Sequence, residues 1–283
     1  MAKEAFGIDI GGSGIKGAPV NLKKGELAQK RVRIPTPQPA TPDAVAKTVK
    51  ELIDSFDVPA DMPVGVTFPA IIQHGVAKSA ANVDDSWIGT DVDTLLSEVT
   101  GHSVFVVNDA DAAGIAEMEF GAGKTKSGLV IMTTLGTGIG SAMFMDGKLI
   151  PNSELGHLTY EGKSFEKFAA SSVFEKAGIS YEEWAKERLQ KFYGHVEFLF
   201  SPDLFIVGGG VSKDAKKYLH FLDLKTEIVP AKLRNEAGII GAAALAHAER
   251  KLEVKKDKGE KKAKKDKKNE SAAELAAESV EEA

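Results

Sequence analysis

The chain has no cysteine among its 283 residues. Disulfide staples and thiolate metal sites are therefore excluded, and the absence is compatible with a reducing compartment. No apolar run approaches the ~18–20 residues that a membrane-spanning helix needs, and no secretory leader pattern precedes the first apolar strand. A cytoplasmic location without a membrane partner is the expectation. A basic excess is missing too: 36 Lys and Arg stand against 41 Asp and Glu, for a net charge of −5. That balance argues against a nucleic-acid partner, whose binding domains are strongly positive. A polyanionic ligand would need a local track of cations, because the molecule as a whole does not attract it. What is present is ordinary for a globular protein: 43% hydrophobic and 27% charged residues, enough for one large domain or two smaller ones.

Residues 7–14 read Gly-Ile-Asp-Ile-Gly-Gly-Ser-Gly, after an apolar strand start, and Lys16 follows at once. Glycines let backbone N–H groups converge on anionic oxygens without Cβ obstruction. Gly11, Gly12, Ser13, Gly14 and Lys16 thus suit a phosphate chain, and Asp9 is a candidate to hold Mg²⁺ directly or through water. The order differs from Walker A and from the dinucleotide fingerprint, and the turn-rich stretch after Gly17 predicts a β-hairpin. The pattern recurs at 133–140, where Thr134, Gly136, Thr137 and Gly138 lie between the strands Leu129–Met132 and Ser141–Met145. A third cluster, Gly208-Gly209-Gly210, closes the strand Leu204–Val207. Each loop alone reads equally well as a structural turn. Two of them half a protein apart point to paired phosphate cradles.

The rest of the chain alternates strand and helix signals. Residues 4–34 predict three strands, Pro35–Pro39 an extended connection, and Pro42 a helix start with Val45, Val49, Leu52, Ile53 and Phe56 at helical spacing. Val64–Phe68 and Ser103–Val107 predict buried strands, and Asp91–Thr100 a short helix ended by Gly101. Ala110–Phe120 predicts a helix entered from an Asn-Asp pair. Residues 181–199 predict a long amphipathic helix burying Trp184, Leu189, Phe192, Val196 and Leu199. Glu236–Arg250 is alanine-rich and helical.

Five further stretches make a resemblance specific. Val106-Val107-Asn108-Asp109-Ala110-Asp111-Ala112-Ala113 and Glu154-Leu155-Gly156-His157 resemble the sugar-site motifs of the ROK family of sugar kinases and repressors. Ala81–Thr90, Ser201-Pro202-Asp203 and Leu233–Gly238 are similar to one branch of it, the polyphosphate glucokinases. The likeness runs from about Phe6 to about Arg250. It implies an α/β, actin-like ATPase or RNase H-like fold of two domains: 1–108 with 236–250 as a smaller N-terminal domain, and 109–235 as a larger one. It also implies a sugar and a polyphosphate or nucleotide as small-molecule ligands, Mg²⁺ as cofactor, and a homodimer.

By the same resemblance Asp109 is the general base for the sugar's 6-hydroxyl. Read from the residues alone, an Asp at a strand–helix junction is equally a helix cap, and Asp111 is a first-turn acid favoured by the helix dipole. The implied sugar contacts are Thr67, Asn82, Asn108, Asp109, Glu154, His157 and Glu166, and the implied donor contacts add Gly209 and Gly210 to the glycine loops. Lys124 and Lys126 flank the second loop as candidates for a donor path. The chain departs from the family in two places. Many members carry a zinc-binding Cys-rich stretch after the Gly-His pair; here Leu158–Ser164 runs straight through, so no zinc is expected and His157 needs another orienting group. Asp85 stands where that branch has Lys, and a carboxylate repels a polyanion.

Residues 251–268 hold ten Lys and four acidic residues, and residues 269–283 five Glu and no Lys. Such a tail predicts solvated coil or a single fraying helix; a tether for an anionic donor is the alternative. The reaction expected is glucose 6-phosphorylation from polyphosphate, with ATP as a second donor. An ATP-dependent glucokinase or mannokinase is the enzymatic alternative, and a sugar-sensing repressor or binding-only protein the different class. Repressors carry a helix-turn-helix before the first phosphate strand, whereas only five residues precede Phe6.

Overall fold

Two mixed sheets are built on one plan, each opening with an antiparallel hairpin and closing with parallel strands. The computed structural model describes residues 4–80 and 83–256. In the first half β1 (Glu4–Gly11) and β2 (Gly14–Asn21) form the hairpin, followed by β3 (Glu26–Leu27) and β4 (Val32–Ile34). Helix α1 (Pro42–Asp54) leads to β5 (Val64–Phe68), the short strands β6 (Ile72–Gln73) and β7 (Val76–Ala77), α2 (Val92–Thr100) and β8 (Val104–Asn108). The six-stranded sheet runs β3-β2-β1-β5-β8, with β4 also on β2. Four strands thus occupy 4–34 where three were expected. β2 is long enough to pair β4 through Ile15–Gly17 and β3 through Val20–Asn21.

The second half opens with α3 (Asp109–Phe120), then β9 (Leu129–Leu135), β10 (Ile139–Met145) and β11 (Lys148–Ile150). A two-stranded ribbon of β12 (Thr159–Tyr160) and β13 (Lys163–Ser164) precedes α4 (Glu166–Ala169) and α5 (Ser171–Ala177). Helices α6 (Tyr181–Trp184) and α7 (Gln190–Phe200) are joined by a π turn over Ala185–Leu189. Strands β14 (Leu204–Gly208) and β15 (Glu227–Pro230) complete a sheet of order β11-β10-β9-β14-β15. This order repeats the first sheet strand for strand.

Local chemistry explains most of these elements. Thr41 and Pro42 start α1, which buries Val45, Val49, Leu52 and Ile53 as expected. Asp91 accepts the Thr94 N–H at 3.0 Å, and Gly101 ends α2 in the left-handed region at φ 75°. The α6–α7 segment buries Trp184, Leu189, Phe192 and Val196, but Leu199 is 48% exposed, against expectation. Trp184 and Leu189 are five apart, so only the π turn puts both on one face. The last turn, Phe198–Phe200, keeps its apolar side chains in solvent.

The final described helix, α8, covers 237–256, six residues beyond the expected end at Arg250. The remainder of the expected tail lies outside the described residues. α8 lies directly against the first sheet: a Cβ on Gly7 would collide with the Ile239 carbonyl, and one on Gly65 with that of Ala242. Gly241 meets the Ala112 carbonyl of α3 in the same way. Among the described residues no helix is long and apolar enough to cross a membrane.

Candidate active site

The parallel strands of both sheets end at a cavity of about 330 Å³, the crevice where α/β sheets place ligands. Asp9, Lys16, Asp109, Thr134 and Gly209 line it together. β-Pairing explains the first of these. Asp9 lies opposite Lys16 across the hairpin and beside Thr67 on β5. Lys16 Nζ stands 3.5 Å from Asp9 Oδ2, and the Thr67 hydroxyl donates to Oδ1 at 2.9 Å. Thr67, expected at the sugar, is fully buried beneath Asp9 and committed to orienting it.

Asp109 begins α3 at the end of β8. The cap of this helix is Asn108, whose Oδ1 accepts the N–H of Ala110 at 2.8 Å and of Asp111 at 3.3 Å. Asn108 Nδ2 donates to the Ala70 carbonyl at 3.1 Å. Asp109 Oδ1 also accepts the Ala110 N–H at 2.8 Å, and the residue lines the cavity. Enclosure by the cleft walls, and then the negative charge of Asp9, hold its pKa above the ordinary carboxylate range.

Glu154, His157 and Glu166 form a separate wall that does not line this cavity, with Glu154 near enough to Asp109 for their charges to interact. Ser141 on β10 accepts the Leu155 N–H at 2.9 Å and donates to the Ser153 carbonyl at 2.7 Å, which pins the loop carrying Glu154. Gly156 is required there because a Cβ would strike the Ile139 carbonyl. His157 stands between two carboxylates, with Nδ1 3.9 Å from Glu154 and Nε2 3.6 Å from Glu166. Partial burial raises the pKa of Glu154, His157 opposes that rise, and the charges of Asp109 and Glu166 add to it. Glu166 Oε2 in turn lies over Gly138, where a Cβ would come within 2.6 Å of it.

Other expected residues are placed elsewhere. Gly11, Gly12, Ser13 and Gly14 form the tip of the first hairpin and do not line the cavity; Arg33 donates to the Ser13 carbonyl and lies over Gly14. Gly136, Thr137 and Gly210 line a neighbouring cavity of about 490 Å³, with Phe174 and Tyr181. Lys124 and Lys126 lie before the amino end of β9, a strand length of about 23 Å from the loop they were expected to flank. Asn82 lies outside the described residues.

The structure also supplies residues not assigned from sequence. Arg31 and Arg234 line the same cavity as Asp109, and Arg31 donates to the Asn235 carbonyl at 3.2 Å. Asp111 is in the first turn of α3, as expected, and is 1% exposed. Its Oδ2 accepts the Asn152 N–H at 2.8 Å, and its Oδ1 is buried with no hydrogen-bond partner among the described residues. Asn152, at φ 59°, both accepts from Ile72 N and donates to Ile72 O. This clasp ties the loop before Glu154 to the first half of the chain.

Burial, with the charges of Glu154 and Asp109 adding, raises the Asp111 pKa to about 7 from 3.8. The folded state therefore binds this proton more tightly than the unfolded chain, and the associated stability is lost as pH rises through that interval. The melting temperature of Asp111→Asn should fall less between pH 4 and pH 7 than that of the wild type, roughly the window of this shift. Parallel slopes in thermal melts across that range would contradict the assignment.

Among the described residues no group of three or more His, Asp or Glu is spaced to hold a metal ion. Mg²⁺ sites in phosphotransferases use one or two carboxylates together with substrate phosphates. Asp9, oriented by Thr67 and facing the cavity, fits that requirement.

Paired hairpin sheets facing a common crevice define an actin-like α/β architecture. The chain belongs to the ROK family, which it matches over residues 5–167. It is 51% identical over 248 residues to the polyphosphate glucokinase of Mycobacterium tuberculosis, covering 87% of this chain and 92% of that protein. The crystal structure of the inorganic polyphosphate/ATP-glucomannokinase from Arthrobacter sp. strain KM is 55% identical and superposes with a TM-score of 0.82, over 87% of this chain and 99% of that one. A ROK family glucokinase from Streptomyces griseus, solved with glucose and AMPPNP, shares the fold at 22% identity and TM-score 0.72, over 87% and 99% of the two chains.

Proposed function

We propose that the chain phosphorylates glucose at its 6-hydroxyl, using inorganic polyphosphate and ATP as donors. The observation that carries this is the position of Asp109: a carboxylate at a strand end, in the same cavity as Asp9, Lys16 and Thr134 and next to Glu154. Polyphosphate as donor is supported by the likeness to the Mycobacterium and Arthrobacter enzymes, each more than half identical to this chain. The cavity with Phe174 and Tyr181 beside Gly136 and Gly210 offers aromatic faces to a nucleoside, which supports ATP as the second donor.

Glu154, His157 and Glu166 hold the sugar hydroxyls, and Asp109 accepts the proton of the 6-hydroxyl as its oxygen attacks the terminal phosphorus. The shortened donor leaves with the electrons of the broken P–O bond, and Lys16 stabilises its charge. Thr67 and Asn108 act by positioning Asp9 and the start of α3. Asp9 would hold Mg²⁺, which supplies charge neutralisation at the phosphoryl oxygens when bound. The segments 1–108 with 236–250, and 109–235, act as two lobes that close on the sugar and exclude water, the competing acceptor. The reading places the enzyme in the cytoplasm without a nucleic-acid partner, and the exposed run Phe198–Phe200 suits a homodimer contact.

Because Asp109 must be ionised to accept a proton, kcat should fall as pH drops through its raised pKa. The acid limb of the kcat–pH profile should lie above the ordinary Asp value of 3.8. A limb at or below that value would contradict the base assignment. The donor reading is tested by measuring glucose 6-phosphate formed with nucleotide-free polyphosphate and, in parallel, with ATP. Product from both is expected, and failure with both would overturn the reading.

A further inference from the structure

A second groove, of about 570 Å³, opens beside the catalytic cavity and shares Ala231 and Arg234 with it. It follows β15, the edge strand of the second sheet, from Ala231 at the carboxyl end to Glu227 and Lys126 at the amino end. Four strand residues span about 13 Å, so the groove leads from the reacting centre well out along the surface.

Its charge is the reverse of the chain's. Among the described residues Lys126, Lys232 and Arg234 line it, against the single carboxylate of Glu227, in a protein of net charge −5. Lys126 Nζ lies 2.7 Å from Glu227 Oε2. Lys16 and Arg31 continue the cations into the catalytic cavity, and Arg234 stands at the junction. That junction is built rather than incidental. Buried Glu117 of α3 accepts the Leu233 N–H at 2.7 Å, and Arg31 holds the Asn235 carbonyl. The turn between them holds Arg234 at φ 49°, a left-handed conformation unusual for a residue with a side chain. The remaining lining includes Ala122, Thr125, Val229 and Pro230, with no aromatic ring among the described residues on which a base would stack.

A cationic groove without a stacking surface, continuous with the donor site, fits a linear anion of repeating phosphoryl units. We propose that this groove holds the distal part of an inorganic polyphosphate chain whose terminal unit reacts beside Asp109, and that Lys126 and Lys232 set the preference for long chains over short ones. The inference rests on the polyphosphate reading above and extends it to chain length. ATP and tripolyphosphate end within the catalytic cavity and its neighbour, so they make no use of Lys126 or Lys232.

The test compares the full-length wild type with Lys126→Ala/Lys232→Ala and with Glu227→Gln. KM and kcat are measured for long-chain polyphosphate, tripolyphosphate and ATP at one magnesium concentration and ionic strength. The double variant should raise KM for the long chain about tenfold at unchanged kcat, with KM for tripolyphosphate and ATP within about twofold of wild type. Glu227→Gln, which removes the opposing charge, should lower KM for the long chain. Unchanged ATP kinetics also report that the variants fold. Equal effects on long and short donors, or none on either, would overturn the groove assignment while leaving the donor reading intact. A wild-type enzyme active with ATP and inactive with every polyphosphate would remove the donor reading itself, and the groove assignment with it.

Discussion

Asp109→Asn should lower kcat for glucose phosphorylation by about 10²–10⁴-fold while KM for glucose stays within about threefold, the signature of a lost general base. The substitution keeps the shape and polarity of the side chain and removes only its ability to take a proton. It also spares the fold. The start of α3 is capped by Asn108, and the amide oxygen of the new Asn can still accept from Ala110 N, as Asp109 Oδ1 does at 2.8 Å. A loss of kcat in steady-state assays, with an unchanged melting temperature, is therefore the expected pair of results. A variant retaining kcat within about threefold would show that phosphoryl transfer here proceeds on positioning and charge stabilisation alone.

The second large effect is on stability. Gly65→Ala places a methyl group where the Ala242 carbonyl of α8 already lies, and the neighbouring Gly7 faces Ile239 in the same manner. A helix backbone cannot yield as a flexible side chain does, so α8 must lift from the sheet. Overpacking of this kind costs about 1–3 kcal/mol or more, which for a chain of this size lowers the melting temperature by roughly 2–6 °C. Ala237 and Gly238, at the start of α8, line the catalytic cavity, so KM for the donor should rise as well. Gly136→Ala, with open space around its Cβ, should leave the melting temperature unchanged. Equal melting temperatures for wild type and Gly65→Ala in scanning calorimetry would show that α8 is not held where the structure places it.

The two hairpins and the strand–helix junction at Asn108-Asp109 were legible in the sequence because each is written locally. An apolar strand, a glycine turn and a second strand leave the chain few alternatives. What escaped depends on residues far apart in sequence. Asp111 has the local pattern of any first-turn acid, and its burial follows from Asn152, which arrives 41 positions later. Thr67 sits on a strand correctly expected to be buried, yet its partner is Asp9, 58 positions earlier. Arg31 lies in the stretch expected as strands and Arg234 in the Leu233–Gly238 stretch that carries the resemblance, but neither had a role assigned, and they meet at one cavity only because α8 returns to the first sheet. Lys126 adjoins the glycine loop in sequence, but β9 intervenes and carries the loop away from it. His157 lies in a stretch without cysteine, and the carboxylates of Glu154 and Glu166 flank its ring at 3.9 and 3.6 Å, a placement that no local sequence pattern shows.

One crystal structure with bound glucose would test the proposed chemistry most directly. The expected result is the sugar's 6-hydroxyl about 2.6–3.2 Å from an Asp109 carboxylate oxygen, within reach of proton transfer, and facing the cavity that Asp9, Lys16 and Thr134 share. Glucose bound with that hydroxyl turned away from Asp109, or seated outside the wall formed by Glu154, His157 and Glu166, would contradict it.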